Sequence, residues 1–297
     1  MRGIQEKGTD KDMMMMVGIL VVFGSILAGY MMEKGNLMVL MQPAELVIIG
    51  GAAAGTALVA NPMRVIKGIV SGVLRALKGS PYSRPYFVET LKMLYEFFSH
   101  VTKVGVQAIE AEVDAPEKSP VLSKYPKFLQ DKSAVAFLCD TIRTYSAGAM
   151  SHHQLDHLME IDLEVVEHED QAPVQALATV SDSLPGLGIV AAVLGVVITM
   201  SALGGPPEEI GHKVAAALVG TFLGILLCYG VVGPISANMA KCNESRAQYF
   251  QCLRQGILPF LHGSPPILAV EFARRSIPAD LRPTFKELED TCRGAKK

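Results

Sequence analysis

The sequence predicts an all-α polytopic membrane protein with four transmembrane helices and a mostly helical cytoplasmic region. Three observations carry this prediction. Four stretches lack any Asp, Glu, Lys or Arg: residues 13–32, 46–63, 183–207 and 214–240, of 20, 18, 25 and 27 residues. Crossing ~30 Å of hydrocarbon at 1.5 Å per residue takes about 20 apolar residues, and a charge at mid-bilayer costs ~2.5–3.5 kcal/mol. Composition agrees: 50% of residues are hydrophobic and mean hydropathy is +0.32, yet 19% are charged. Apolar spans plus a charged soluble part account for that mixture better than one soluble domain. Third, the basic residues are placed asymmetrically around the four stretches, which fixes their orientation.

The N-terminal segment, 1–12, mixes acids and bases (Glu6, Lys7, Asp10, Lys11, Asp12). With the apolar run that follows, it suits a first span better than a cleaved secretory signal. The connection 33–45 holds one Lys and two Glu, and the connection 208–213 holds Glu208, Glu209 and Lys213. By contrast, the second span exits into Arg64, Lys67, Arg75, Lys78 and Arg84, and the fourth into Lys241, Arg246 and Arg254. Both termini and the long loop are therefore expected in the cytoplasm, with two short connections outside. The expected organisation is a cytoplasmic N-terminus (1–12), spans 1 and 2 (13–63), a cytoplasmic helical loop (64–182), spans 3 and 4 (183–240) and a cytoplasmic tail (241–297).

Within the loop, Phe87, Leu91, Leu94, Tyr95, Phe98 and Val101 keep a 3–4 spacing while Glu89, Lys92, Glu96 and Lys103 fall elsewhere, the pattern of an amphipathic helix. Residues 134–149 and 154–168 repeat the pattern. Breaks are expected at Gly79–Ser80–Pro81, Ala115–Pro116 and between Gly263 and Pro266. Small residues recur in the spans: Gly51 and Gly55, Gly220 and Gly224, and Gly188, Ala192 and Gly195. Lipid supplies no hydrophobic drive between helices, so close backbone approach must hold them together, within one four-helix unit or against other subunits.

The four charge-free windows also lack His, which bears on mechanism. A proton carrier normally needs a carboxylate or His within the membrane. The available polar side chains are chiefly Ser25, Thr56, Thr199, Ser201, Thr221 and Tyr229. Either the chain transports nothing or a partner supplies the acid. Two prolines flank this region. Pro185 is expected to open the third helix, where a missing N–H costs nothing. Pro234 falls inside the last turns of the fourth, where it removes a backbone hydrogen bond and favours a kink. Both lie near the cytoplasmic end of their helices, where they can form a hinge.

Other function classes are excluded. The net charge of −2 argues against a nucleic-acid partner. Five scattered cysteines without CxxC spacing read as thiols. The GxGxxA string from Gly186 to Ala191 lacks the preceding strand and following acid of a dinucleotide fold. His153 and His157, near His152, Asp156 and Glu160, read as the solvated face of a helix; no HExxH motif accompanies them. There is no Walker A loop and no GxSxG, and neither an enzymatic activity nor a cofactor or metal is expected.

The residues also carry a family resemblance. Gln42-Pro43-Ala44-Glu45-Leu46-Val47-Ile48-Ile49, the run Asp182-Ser183-Leu184-Pro185 through Val197, and Val219-Gly220-Thr221-Phe222-Leu223-Gly224 resemble the MotA family, stator subunits of the flagellar motor. Pro265-Pro266-Ile267, Val270-Glu271-Phe272, Arg282-Pro283 and Tyr125-Pro126 extend the likeness over nearly the whole chain. The resemblance implies a homo-oligomeric ring, a pentamer, in the cell inner membrane around a MotB-like dimer. Each MotB-like chain has one span, bearing the Asp that takes the proton, and a periplasmic domain that grips peptidoglycan. It implies that the family's two functional prolines are Pro185 and Pro234, and that the small polar residue lining the ion path is Thr221. Sodium-type relatives carry a Thr at the position of Ala192, so Ala192 favours H+ as the transported ion; Thr199 lies elsewhere on the same helix. Finally, it implies that the loop engages the rotor protein FliG through charges. The family's acidic position falls on Glu110 and its basic position on Thr102, with Lys103 beside it.

The implied mechanism is stepwise: a proton neutralises the partner's Asp beside Thr221, the wall of spans 3 and 4 shifts, and the two prolines pass that shift to the loop. Alternatives remain on the sequence alone. An ExbB/TolQ-like energiser of an envelope process usually has three spans. A secondary transporter calls for an intramembrane charge or interrupted helices. A static scaffold needs no partner acid.

Overall fold

The computed structural model describes residues 6–148, 150–200, 204 and 206–294. Ser201, Ala149 and residues 1–5 of the expected N-terminal segment lie outside them. Every regular element among the described residues is helical. In chain order these are α1 (Glu6–Met32), α2 (Leu37–Leu40), α3 (Pro43–Ala60), α4 (Met63–Lys78), α5 (Arg84–Val104), α6 (Glu110–Asp114), α7 (Pro126–Gln130), α8 (Lys132–Ser146), α9 (His152–Met200), α10 (Pro207–Leu227), α11 (Gly233–Leu261), α12 (Pro266–Ser276) and α13 (Phe285–Gly294). A π-helical turn, Cys228–Val232, joins α10 to α11. Four helical stretches are long and apolar enough to cross a membrane: Met14–Met32, Leu37–Ala60, and parts of His152–Met200 and of Pro207–Leu261. The chain is a multi-pass, all-α membrane protein.

The chain divides into two compact units, Met1–Gly79 with Glu169–Asn243, and Ser80–His168 with Glu244–Lys297. The unit that carries the spans is larger than the charge-free windows. Its α4 is amphipathic and bears the basic residues after span 2. Arg64 pairs with Glu169, and Arg75 lies 3.6 Å from Asp170. Gly68 and Gly72 let α4 approach Pro173 and Met239, since an added Cβ would come within 2.5 and 2.4 Å of those side chains.

Three expectations about this unit change. Pro185 does not open a helix. It lies 33 residues into α9, whose helical course continues through Asp182 because charge-free windows mark hydrocarbon, not helix ends. Pro234 is not in the last turns of a helix either: it is the second residue of α11, directly after the π turn. Glu45, expected in a connection, lies in the first turn of α3, which starts at Pro43. Pro at that position is favoured by its fixed φ and dispensable N–H.

The second unit has its own core. Phe87, Leu91, Leu94, Tyr95, Phe98 and Val101 of α5 are all buried, the face expected from their spacing. Tyr82 stacks on Tyr249 at 4.7 Å and Phe98 on Phe260 at 4.2 Å. The breaks at Gly79–Ser80–Pro81, Ala115–Pro116 and Gly263 to Pro266 fall between helices. His152 packs edge-on against His262 at 4.2 Å, His153 is exposed, and His157 lies 3.9 Å from Glu160.

Candidate functional site

The candidate site is the seam between α9 and α10, with α3 laid against it. Glycine makes the seam. A Cβ on Gly188 would lie 2.8 Å from the Gly220 carbonyl oxygen and 3.1 Å from the Gly224 Cα. One on Gly224 would lie 2.6 Å from the Leu184 carbonyl oxygen and 2.9 Å from the Gly188 Cα. Gly195 meets Ala217 in the same way, at 2.7 Å. The string that superficially matches a dinucleotide fingerprint is thus a helix-packing surface, the use small residues have in membranes.

Of the residues expected on the ion path, Ala192 meets α10 at Gly220, the residue before Thr221. A Cβ on Gly220 would lie 3.2 Å from the Ala192 backbone nitrogen, and Thr221 is the next residue on α10. Both Ala192 and Thr221 are half-buried. Thr199 is not brought into this group. It is buried nearly two turns further along α9, and its hydroxyl donates to the Gly195 carbonyl at 2.8 Å within its own helix.

A polar contact links the turns that precede the two prolines. Pro185 has no N–H for the carbonyl of Ser181, one turn earlier. The Ser181 hydroxyl itself is buried and donates to the Cys228 carbonyl at 3.2 Å. That carbonyl also accepts the Gly233 N–H across the π turn that precedes Pro234. π turns are rare and accompany functional sites. The backbone irregularities at Pro185 and Pro234 are therefore in direct contact.

Sequence reading missed one residue of the site. Glu45 opens a buried stripe on α3 that continues through Ile49 and Ala53 at four-residue spacing. Its side chain reaches Gly220: a Cβ there would lie 2.6 Å from Oε2. Glu45 is only 7% exposed, and Oε2 has no hydrogen-bond partner among the described residues. The missed signal was the i, i+4, i+8 stripe, which begins at the residue just before the charge-free window.

The residues expected to meet a rotor lie in the second unit. Lys103 and Glu110 are both exposed, on either side of the turn at Gly105, whose φ of +88° suits glycine. Lys103 also lines an open groove of about 560 Å³ with Tyr95, His100, Lys124 and Ile267. Thr102, at the family's basic position, spends its hydroxyl on the Phe98 carbonyl at 2.8 Å.

Comparison with known proteins gives this geometry a family. Residues 16–105 match the model described as Motility protein A N-terminal, and residues 130–251 match that of the MotA/TolQ/ExbB proton channel family. The chain is 37% identical to Motility protein A of Escherichia coli strain K12, covering 96% of each chain. It is 35% identical to the chemotaxis protein LafT of Vibrio parahaemolyticus, covering 92% of this chain and 96% of that one. Among solved structures it resembles a chain of C. jejuni MotAB with a TM-score of 0.76, at 18% identity, covering 92% of this chain and 99% of that one. It also resembles a chain of the flagellar MotAB stator complex of Bacillus subtilis, with a TM-score of 0.72 at 22% identity, covering 89% and 96%. The last two likenesses show a shared fold. With the two family models and the close relatives, they establish that the chain belongs to the motility protein A family, within the MotA/TolQ/ExbB proton channel family.

Proposed function

We propose that the chain is a stator subunit of the bacterial flagellar motor. With a MotB-like single-span partner it forms a proton-conducting complex that converts ion-motive force into torque. The observation that carries this reading is the seam itself: a charge-poor helix pair, locked by glycines, with Ala192 against Gly220 and two linked turns before the prolines at one end. A wall of this kind shapes an ion route and moves as a unit. It belongs to a proton-channel family, not an enzyme class, and it functions with H+ as the transported ion and no cofactor.

The remaining assignments follow the family. The chain lies in the cell inner membrane with both termini in the cytoplasm, as a homo-oligomer of five around the partner. Large apolar side chains exposed on α3, α9, α10 and the π turn, such as Val47, Val59, Val193, Val197, Leu218 and Tyr229, support cover by lipid and neighbouring subunits. Lys103 and Glu110 face the rotor protein FliG. One elementary charge crossing 100 mV releases ~2.3 kcal/mol, enough to bias a ring between discrete rotational states. The proton neutralises the partner's Asp beside Thr221, the α9–α10 wall shifts, and the Pro185–Pro234 junction passes the shift to the cytoplasmic unit.

The test is deletion followed by co-purification. Loss of swimming, with a single-span, peptidoglycan-binding partner retained on the tagged chain, is expected. Normal swimming without the chain, or reproducible absence of such a partner, would contradict the reading.

A further inference from the structure

The mechanism above leaves a buried carboxyl at the seam unused. Glu45 lies against the α9–α10 seam, its Oε2 enclosed and unpartnered among the described residues. Gly220 is six residues, about 9 Å along the helix, inside the charge-free window that opens at Val214. The Glu45 carboxyl, although in the first turn of α3, therefore reaches well past the edge of the apolar region. Gly220 is what admits it. Any side chain there would collide with Oε2 at 2.6 Å, with the Ala191 Cβ at 3.2 Å and with the Ala192 nitrogen at 3.2 Å.

A purely structural carboxylate in such a place would be expected to hold a donor, because a buried oxygen without one is costly. None reaches it. No charged residue faces it from α9. On α10 the nearest charged side chain is Lys213, seven residues or about 10 Å from Gly220, and Lys213 is paired with Glu209 at 3.0 Å. Glu208 and His212 lie further out on the same helix and are exposed. The short α2 carries no titratable residue. What does adjoin the carboxyl is Gly220, which packs on Ala191 and Ala192 and precedes Thr221.

Resting on the reading of the chain as a proton-conducting subunit, we propose that Glu45 is an ion-carrying site of this chain itself. Its carboxyl takes the transported proton on the outer side of the seam and hands it on towards the partner's acid beside Thr221. The O–H bond formed on entry is the bond broken on exit, so the carboxyl ends each turnover as it began. The route is then a two-acid relay, one acid from each kind of subunit.

The experiment uses the full chain expressed with its MotB-like partner. Membrane proton flux is measured over a range of external pH for the native chain, Glu45→Gln, Glu45→Asp and Glu45→Ala, with partner co-purification followed in parallel. The proposal expects Glu45→Gln to assemble like the native chain and to lose flux at least about tenfold in alkaline medium. In acid, where protons are plentiful, the loss is smaller, and Glu45→Asp recovers part of the flux. Infrared difference spectra of the native complex should show a titrating carboxyl C=O stretch that Glu45→Gln lacks. Native flux and pH profile in Glu45→Gln overturn the proposal, as does a loss of flux that tracks lost assembly equally at every pH. Absence of flux from the native complex overturns the parent reading, and this proposal with it, and is distinguished by the native control.

Discussion

The Ser181 hydroxyl donates to the Cys228 carbonyl at 3.2 Å and lies 3.6 Å from the Cys228 sulfur. It ties the turn that precedes Pro185 to the π turn that precedes Pro234. The space is tight: a Cβ on Gly233 would lie 2.8 Å from the same carbonyl oxygen and 3.3 Å from the Ser181 Oγ. Ser181→Ala removes the donor and leaves the carbonyl with the Gly233 N–H alone. The expected cost is about 1 kcal/mol of stability, the usual net value of one such bond. Chemical unfolding in detergent measures it. Swimming speed should fall further than that cost implies, because the tie joins the two moving sites.

Pro185→Ala and Pro234→Ala test the junction from its other side. Pro185→Ala restores a backbone N–H in a helix interior, where proline costs about 3 kcal/mol, and Pro234→Ala restores one at the start of α11, just after the π turn. Pro234 is exposed, so little packing is lost there. Both variants are expected to insert and to co-purify with the partner while swimming is lost. Unchanged swimming in both would remove the hinge.

Two glycines of the α9–α10 pair differ in what they face. Gly224→Ala places a methyl 2.6 Å from the Leu184 carbonyl oxygen, and the helices must part. Overpacking of this kind costs about 1–3 kcal/mol. Gly186→Ala meets nothing within 4 Å and gains helix propensity of up to about 1 kcal/mol. Unfolding midpoints of the two variants should therefore move in opposite directions.

Much of the molecule was legible in the residues. The absence of charge located the spans, and the 3–4 spacing from Phe87 to Val101 located the core face of α5. The seam residues Gly188, Gly220 and Gly224 were legible as close-packing glycines. What was not legible follows from one physical fact: charge marks the limits of the hydrocarbon, while hydrogen bonding marks the limits of a helix. Hence Pro185, read as a helix start after Asp182, is deep inside α9. Hence also Glu45, read as part of a connection because it is charged, is a buried member of α3. The contact between Ser181 and Cys228 joins residues 47 positions apart, and no local pattern announces it.

In the second unit, Glu271 provides a pH dependence. Its carboxyl lies below the ordinary 4.5, first because Arg274 binds both oxygens at 2.7 Å and then because Arg275 adds a bond at 2.8 Å, against the opposing effect of burial. Arg274 also donates to the Pro283 carbonyl at 2.9 Å. A carboxyl held low in the fold stabilises it fully above its unfolded value. The contribution disappears as pH falls through the lower folded value. Thermal unfolding followed by circular dichroism from neutral pH to about 3 should show falling stability below 4.5. Glu271→Gln should be less stable at neutral pH and flatter over that interval.

The central claim is that this chain shapes a proton route that works only together with a partner's acid. Reconstituting the purified chain in lipid vesicles with and without the MotB-like partner, and measuring proton flux under an imposed potential, tests it most directly. Flux from the pair and none from the chain alone is the predicted result. Selective proton conduction by the chain alone would contradict it.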